Sequence, residues 1–297
     1  MDIAKIIKKL EEVLDLLKNE NNNDANANVV ETRNEPAPDS ATVFEELKNL
    51  LNSEEWPQAA PDFLICDESE KDKLERADGI LSYLGMDLKD KKFLDFGCGE
   101  GHVAKKASSS GAIESVGYDL KSSGPYTWET PDNNFILTTN FERLKSKAPY
   151  DYVLLYDVLD HCDDPLSVLN SIHQITDQSS KIFVRCHPIS SRHATHQYRK
   201  LNKAFIQLVF TDDEIKSLGL ENDIKQKTFY PVADNTRWFQ KAKFKIVSHD
   251  SVKSQVEEFF RNNKTVASRI MRPPYHKGFP DHQMQQVFND YTLIKIV

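Results

Sequence analysis

The sequence is poor in cysteine. It has four, Cys66, Cys98, Cys162 and Cys186, and their spacing matches neither a metal-ligating pair nor the framework of a small disulfide-stapled domain. All four are expected to be reduced thiols. No apolar run is long enough to cross a bilayer. The N-terminus lacks a secretory apolar region, so a cytoplasmic location with no membrane partner is expected. Positive net charge is missing as well: the formal charge is −8, which argues against indiscriminate nucleic-acid binding. What remains is 39% hydrophobic and 28% charged residues over a length of 297. That fits a globular chain with one large or two modest domains.

The average charge hides a pattern. Residues 181–210 carry Lys181, Arg185, Arg192, Arg199, Lys200 and Lys203 and no acid. Residues 261–280 carry Arg261, Lys264, Arg269, Arg272 and Lys277, again without an acid. Such stretches either form a site for an anionic substrate or are solvated helix faces.

The chain is organised around residues 91–120. Phe93, Leu94 and Phe96 form a short apolar run that stops at Gly97, Gly99 and Gly101. An amphipathic segment follows, then a second short run at residues 115–118 that ends at Asp119. Strand, glycine turn, helix, strand and acid make a βαβ unit of the kind that binds a nucleoside. Glycine lets the backbone turn sharply and approach a ligand without a Cβ in the way. A nicotinamide-binding fingerprint spaces its glycines as G-x-G-x-x-G; here the spacing is G-x-G-x-G, with Asp95 inside the strand.

That form resembles motif I of the class I S-adenosylmethionine-dependent methyltransferases, and the likeness extends over residues 69–297. It implies an α/β fold with a doubly wound Rossmann-like sheet and S-adenosylmethionine as cofactor. It also implies roles. Asp95 organises the loop and the methionine amino group, and Gly97, Cys98, Gly99 and Gly101 lie under the amino-acid and sulfonium part. Asp119, beside Leu120, binds the ribose. Asn140 stands where many members carry an acid for the adenine amino group, and its side-chain carbonyl can accept the same bond. The segment from Asp157 to Pro165 matches the family's stretch after the fourth strand, and Asp157 should face the cofactor.

For chemistry, His161 and His187 are the candidate bases, because imidazole titrates near neutrality. Arg185, Arg192 and Arg199, with His193 and His196, are the candidate acceptor-binding residues, the arginines as clamps for phosphate or carboxylate. His187, His193 and His196 match no zinc spacing, and no metal is expected. Arg272-Pro273-Pro274-Tyr275 looks like the motif of amino-directed nucleic-acid methyltransferases. Its arginine cannot accept a hydrogen bond, however, and it reads as a turn.

Elsewhere Ile3, Ile7, Leu10, Leu14 and Leu17 form a coiled-coil seam over residues 1–18, so self-association through that helical extension is expected. Residues 19–42 read as a flexible linker, 43–68 as a lead-in segment, and 69–297 as the catalytic domain with insertions at 188–236 and 252–290. Strands are expected at 134–137, 152–156, 181–184, 239–247 and 291–297, and helices at 43–51, 69–84 and 211–219. A further amphipathic helix should run through Leu201, Phe205 and Val209. The function expected is methyl transfer to a polar or anionic acceptor, a small molecule or a nucleic acid. The alternative is a catalytically silent cofactor-binding module tethered by its N-terminal coiled coil.

Overall fold

A computed structural model describes residues 40–60, 68–192, 194, 197–220, 232–253, 256–270 and 286–296. The expected oligomerisation helix, nearly all of the linker, Cys66, His193, His196 and the Arg272–Tyr275 turn lie outside the described residues. By its internal contacts the chain divides into Met1–Thr42 and Val43–Val297. Among the described residues no helix is long and apolar enough to cross a membrane.

The larger unit is built on a seven-stranded sheet in the order β3-β2-β1-β4-β5-β7-β6. The strands are β1 (Lys92–Phe96), β2 (Glu114–Tyr118), β3 (Phe135–Thr138), β4 (Tyr152–Tyr156), β5 (Lys181–Cys186), β6 (Phe244–Lys253) and β7 (Gln286–Lys295). The first five are parallel, and β7 runs antiparallel between β5 and β6. The parallel strands are buried nearly throughout, as expected of strands covered on both faces. Period-two alternation divides the core. Leu94 and Phe96 join a cluster with Leu169, Ile172 and Phe239 on one face. Phe93 joins Leu81 and Ala107 on the other, which is the side toward which Asp95 points.

The helices begin where the sequence offers caps. For α2 (Glu70–Tyr83, after α1 at Ser40–Leu51), Ser69 and Asp72 form a capping box. Helix α3 (His102–Ser109) starts from left-handed Gly101 with no side-chain cap, leaving its first N–H groups open beside the glycine turn. Asn140 caps α4 (Phe141–Lys147), and Asp164 with Pro165 starts α5 (Pro165–Gln174).

Two sequence-based expectations fail. Phe239 lies in α8 (Val232–Lys241), not in a strand; α6 (Ile206–Val209) and α7 (Asp212–Ser217) precede it. Asn235, Phe239 and Ala242 are all buried, at helical spacing, so one helix face packs into the core before Lys243 turns at φ 59° into β6. The expected helix through Leu201 and Phe205 is also absent. A three-residue turn at Gln197–Arg199 and the four-residue α6 stand there instead. Tertiary bonds displace the helical ones. Ala204 N–H donates to Pro57 O and Phe205 N–H to Arg192 O, while Trp56 Nε1 donates to Ala204 O at 2.7 Å. Phe205 takes φ 62° to make this possible.

Trp56, Phe205 and Phe210 anchor a second apolar core made from 43–59, 189–220 and 256–270. The last segment carries α9 (Glu257–Asn262) and α10 (Lys264–Ile270). Lead-in and insertions thus pack together. The last two strands also pass their expected limits, β6 at its end and β7 at its start. The β6–β7 ladder extends to Lys253↔Gln286, which brings the start of β7 beside the end of β5.

Candidate active site

The carboxyl ends of β1, β4 and β5 open into a cavity of about 730 Å³, where ligands of open α/β sheets bind. Of the expected residues, Asp95, Gly97, Cys98, Gly99, Asp157, Arg185, His187, Arg192 and Arg199 line it. Gly101, Asp119, Leu120, Asn140 and His161 do not line it.

The glycine turn is held by the tip of β2. Gly97 and Cys98 N–H both donate to Tyr118 O, and Gly99 N–H donates to Asp119 Oδ2 at 2.9 Å. Gly97, Gly99 and Gly101 all have positive φ, the region that favours glycine. Their surroundings differ. A Cβ on Gly97 would meet Val158 at 2.5 Å and one on Gly101 would meet Leu137 at 2.7 Å, whereas one on Gly99 would meet nothing. Asp95 lies beneath the turn, 3% exposed, and its Oδ2 has no hydrogen-bond partner. Burial, and then the nearby Asp119 charge, push its carboxyl up to about 7. Burial likewise holds the Cys98 thiol protonated. Cys98 and Cys186 are free thiols, and Cys162 Sγ donates to Val158 O at 3.1 Å. Leu120 is exposed. The Asn140 carbonyl oxygen, expected at an adenine, accepts the Glu142 N–H at 3.0 Å and caps a helix.

Next to the glycine turn, Asp157 follows β4 at φ 55°, a left-handed conformation uncommon for a non-glycine residue. His187 Nε2 lies 3.3 Å from Asp157 Oδ1, and Nδ1 lies 2.8 Å from Val287 O. A carbonyl only accepts, so Nδ1 carries a proton. Burial opposes the charged imidazole, but Asp157 and Asp160 outweigh it and raise His187 to about 9. Asp157 is held below the usual carboxylate range by His187, against its burial, while burial and Asp157 push buried Asp160 up. His187 therefore holds a proton on both ring nitrogens near neutral pH. It is not set up as the general base that the sequence suggested. Burial lowers His161 instead, which keeps that imidazole neutral.

Arg185 was expected as an acceptor clamp, but it is engaged within the protein. Its Nε and Nη2 donate to Asp290 Oδ1 and Oδ2 at 2.7 and 2.8 Å, and Nη1 donates to the Tyr156 hydroxyl. The guanidinium lies 3.7 Å from the Phe288 ring centroid. Arg185 and Asp290 are direct cross-strand partners, a register that no local signal discloses. In the second basic stretch Arg269 is similarly bound to Glu214.

Sequence reasoning also missed the wall contributed by α2 and the start of α3. His102 Nε2 lies 2.8 Å from Glu70 Oε2, and Glu100 completes a trio of metal-ligand type. Lys73 Nζ, 2.7 Å from Glu100 and 3.4 Å from Glu70, already supplies the positive charge there.

Comparison with known proteins bears on the family. A ubiquinone biosynthesis O-methyltransferase of Vibrio campbellii is 29% identical over 117 residues, 37% of this chain and 46% of that relative. One of Pseudoalteromonas translucida is 24% identical over 165 residues, 54% of this chain and 65% of the relative. The chain thus spans about half to two thirds of the length of these curated relatives. Magnesium protoporphyrin IX methyltransferase from Synechocystis PCC 6803 aligns with a TM-score of 0.43 and 12% identity, over 86% of this chain and 95% of that one. A family model described as a methyltransferase domain matches residues 69–249, more than half of the chain. With the glycine turn and the parallel sheet, that match places the chain in the methyltransferase-domain family, the class I S-adenosylmethionine-dependent methyltransferases of Rossmann-like fold.

Proposed function

We propose that this protein transfers a methyl group from S-adenosylmethionine to a hydroxyl on a polar or anionic acceptor. The observation that carries the reading is the buried, unpartnered Asp95 Oδ2 beneath an open Gly99. A buried carboxylate oxygen without a donor is costly, and the ammonium of the cofactor's amino-acid part supplies one. When bound, the cofactor supplies an electrophilic methyl on a sulfonium, whose sulfur keeps the electron pair of the broken bond. Asp95 holds the amino group, Gly97 to Gly99 admit the chain beside it, and Asp119 accepts from the ribose through lone pairs left by the Gly99 and Leu120 N–H groups. Asp157 and protonated His187 add a polar wall to the same cavity. Positioning is the main contribution of such a site, and the acceptor's hydroxyl proton passes to water. An oxygen acceptor is adopted from the names of the two curated relatives.

The test is incubation of the full chain with methyl-labelled S-adenosylmethionine and a cell extract, followed by mass spectrometry of labelled products. A labelled methyl ether is the expected result. Cofactor binding without any labelled product would favour the silent module.

Asp95 gives this reading a pH signature. Below about 7 its carboxyl is protonated and cannot pair with an ammonium. Affinity for S-adenosylhomocysteine should therefore rise as pH increases from 6 to 8 and then level. Asp95→Asn should weaken binding by about 10–100-fold at pH 8, the size of a charge-assisted bond, and flatten the profile. Isothermal titration calorimetry reads both, and an unchanged slope in the variant would discount the role of Asp95.

A further inference from the structure

We propose that Arg192, Arg199 and Lys253 form a phosphate-binding site on the acceptor side of the cavity, so that the acceptor is a phosphorylated small molecule. All three line the cavity. The other cations of its lining have acidic partners. Lys73 pairs with Glu100, Arg76 with Glu68, Arg185 with Asp290 and His187 with Asp157. Among the described residues no carboxylate pairs with Arg192, Arg199 or Lys253.

Arg192 adds an independent observation. It is half-buried, Nη2 donates to the Gln58 carbonyl, and Nε is buried with no hydrogen-bond partner. An unmatched buried guanidinium N–H is expensive, and an anion in the cavity satisfies it. Arg192 and Arg199 follow β5, whereas Lys253 ends β6, so the charges come from separate parts of the chain. Three positive charges match the dianion of a phosphate monoester better than a single carboxylate.

Size and charge select a small molecule over a nucleic acid. Ligand pockets of about 300–1,000 Å³ suit compact ligands, and this cavity of about 730 Å³ falls in that range. Nucleic-acid binders carry a basic stripe, whereas this chain has a net charge of −8.

The inference rests on the methyltransferase reading only in treating the phosphate as part of the acceptor. Its test uses the full chain, free and saturated with S-adenosylhomocysteine, titrated with inorganic phosphate, acetate and a single-stranded RNA of 20 nucleotides. Phosphate should bind more tightly than acetate. Arg199→Gln with Lys253→Gln should weaken phosphate by about tenfold or more, as loss of two charged donors implies. Affinity for S-adenosylhomocysteine should stay within about twofold, because neither residue belongs to the proposed cofactor side. Equal phosphate affinity in wild type and variant would overturn the site. So would RNA binding tighter than phosphate and lost in the same variant, which would assign the cations to nucleic acid. If S-adenosylhomocysteine fails to bind the wild-type chain, the cofactor reading falls, and the phosphate titration of the free chain still decides the anion site.

Discussion

Gly99→Val is expected to abolish S-adenosylhomocysteine binding, a loss of at least about 100-fold, while leaving a folded protein. Of the three glycines in the turn, Gly99 separates the two effects. A side chain on Gly97 or Gly101 would strike Val158 or Leu137, so those variants would fail through packing. A Cβ on Gly99 meets nothing within 4 Å, and the residue lines the cavity. The cost to the fold is the left-handed backbone, φ 54°, which is about 1–2 kcal/mol for a residue with a Cβ. For a domain of this size that is a shift of several degrees in Tm. The cost to binding is larger, because a branched side chain would fill space that the cofactor needs. Calorimetry and thermal unfolding on the same samples separate the two, and Gly99→Ala should fall between. Unaltered affinity in the valine variant would mean that the cofactor does not approach this turn.

Arg185→Met should lower stability by about 3 kcal/mol, the usual consequence of removing one partner from a buried ion pair. The reason is what it leaves behind. Asp290 would keep the Tyr83 hydroxyl at 3.0 Å, but it would face Asp250, its neighbour on β6, with no cation between the strands. A cation held 3.7 Å from the Phe288 ring would also be lost. Arg185→Met combined with Asp290→Leu should recover most of the loss, because removing both charges leaves no buried ion to desolvate. Urea unfolding at neutral pH measures both variants. A single variant within about 0.5 kcal/mol of wild type would show that the pair is no more than a surface contact.

The buried acids and His187 also set the direction of pH dependence. Asp95 and Asp160 are raised, so each favours the folded state while protonated and loses that contribution as pH rises through its folded value. His187 is raised too, and its contribution is complete below the ordinary imidazole range and lost toward about 9. The two acids therefore push stability down between the ordinary carboxylate range and about 7, and His187 does so from the ordinary imidazole range to about 9.

How much was legible in the sequence depended on whether the signal was local. The glycine turn, its two acids and the β1–α3–β2 unit were readable, because a strand, a bend needing positive φ and an amphipathic helix are encoded within about thirty residues. Helix starts were readable for the same reason: Ser69 and Thr211 each cap a helix through atoms three residues away. Arg185, expected as an acceptor clamp, lines the cavity but is engaged by a partner 105 positions further along the chain. The helix expected through Leu201 failed because Trp56, Pro57 and Arg192 offered bonds that propensity does not include.

The sequence by itself determined the class of fold, the glycine turn and the acids around it, because these follow from backbone conformation and short-range periodicity. Tertiary structure decided which charges remain available. Only the register of β7 against β5 and β6 pairs Arg185 with Asp290 and sets Val287 against His187, and only the packing of distant segments leaves Arg192, Arg199 and Lys253 around one cavity. Electrostatic neutralisation acts through space, and distance along the chain does not predict it.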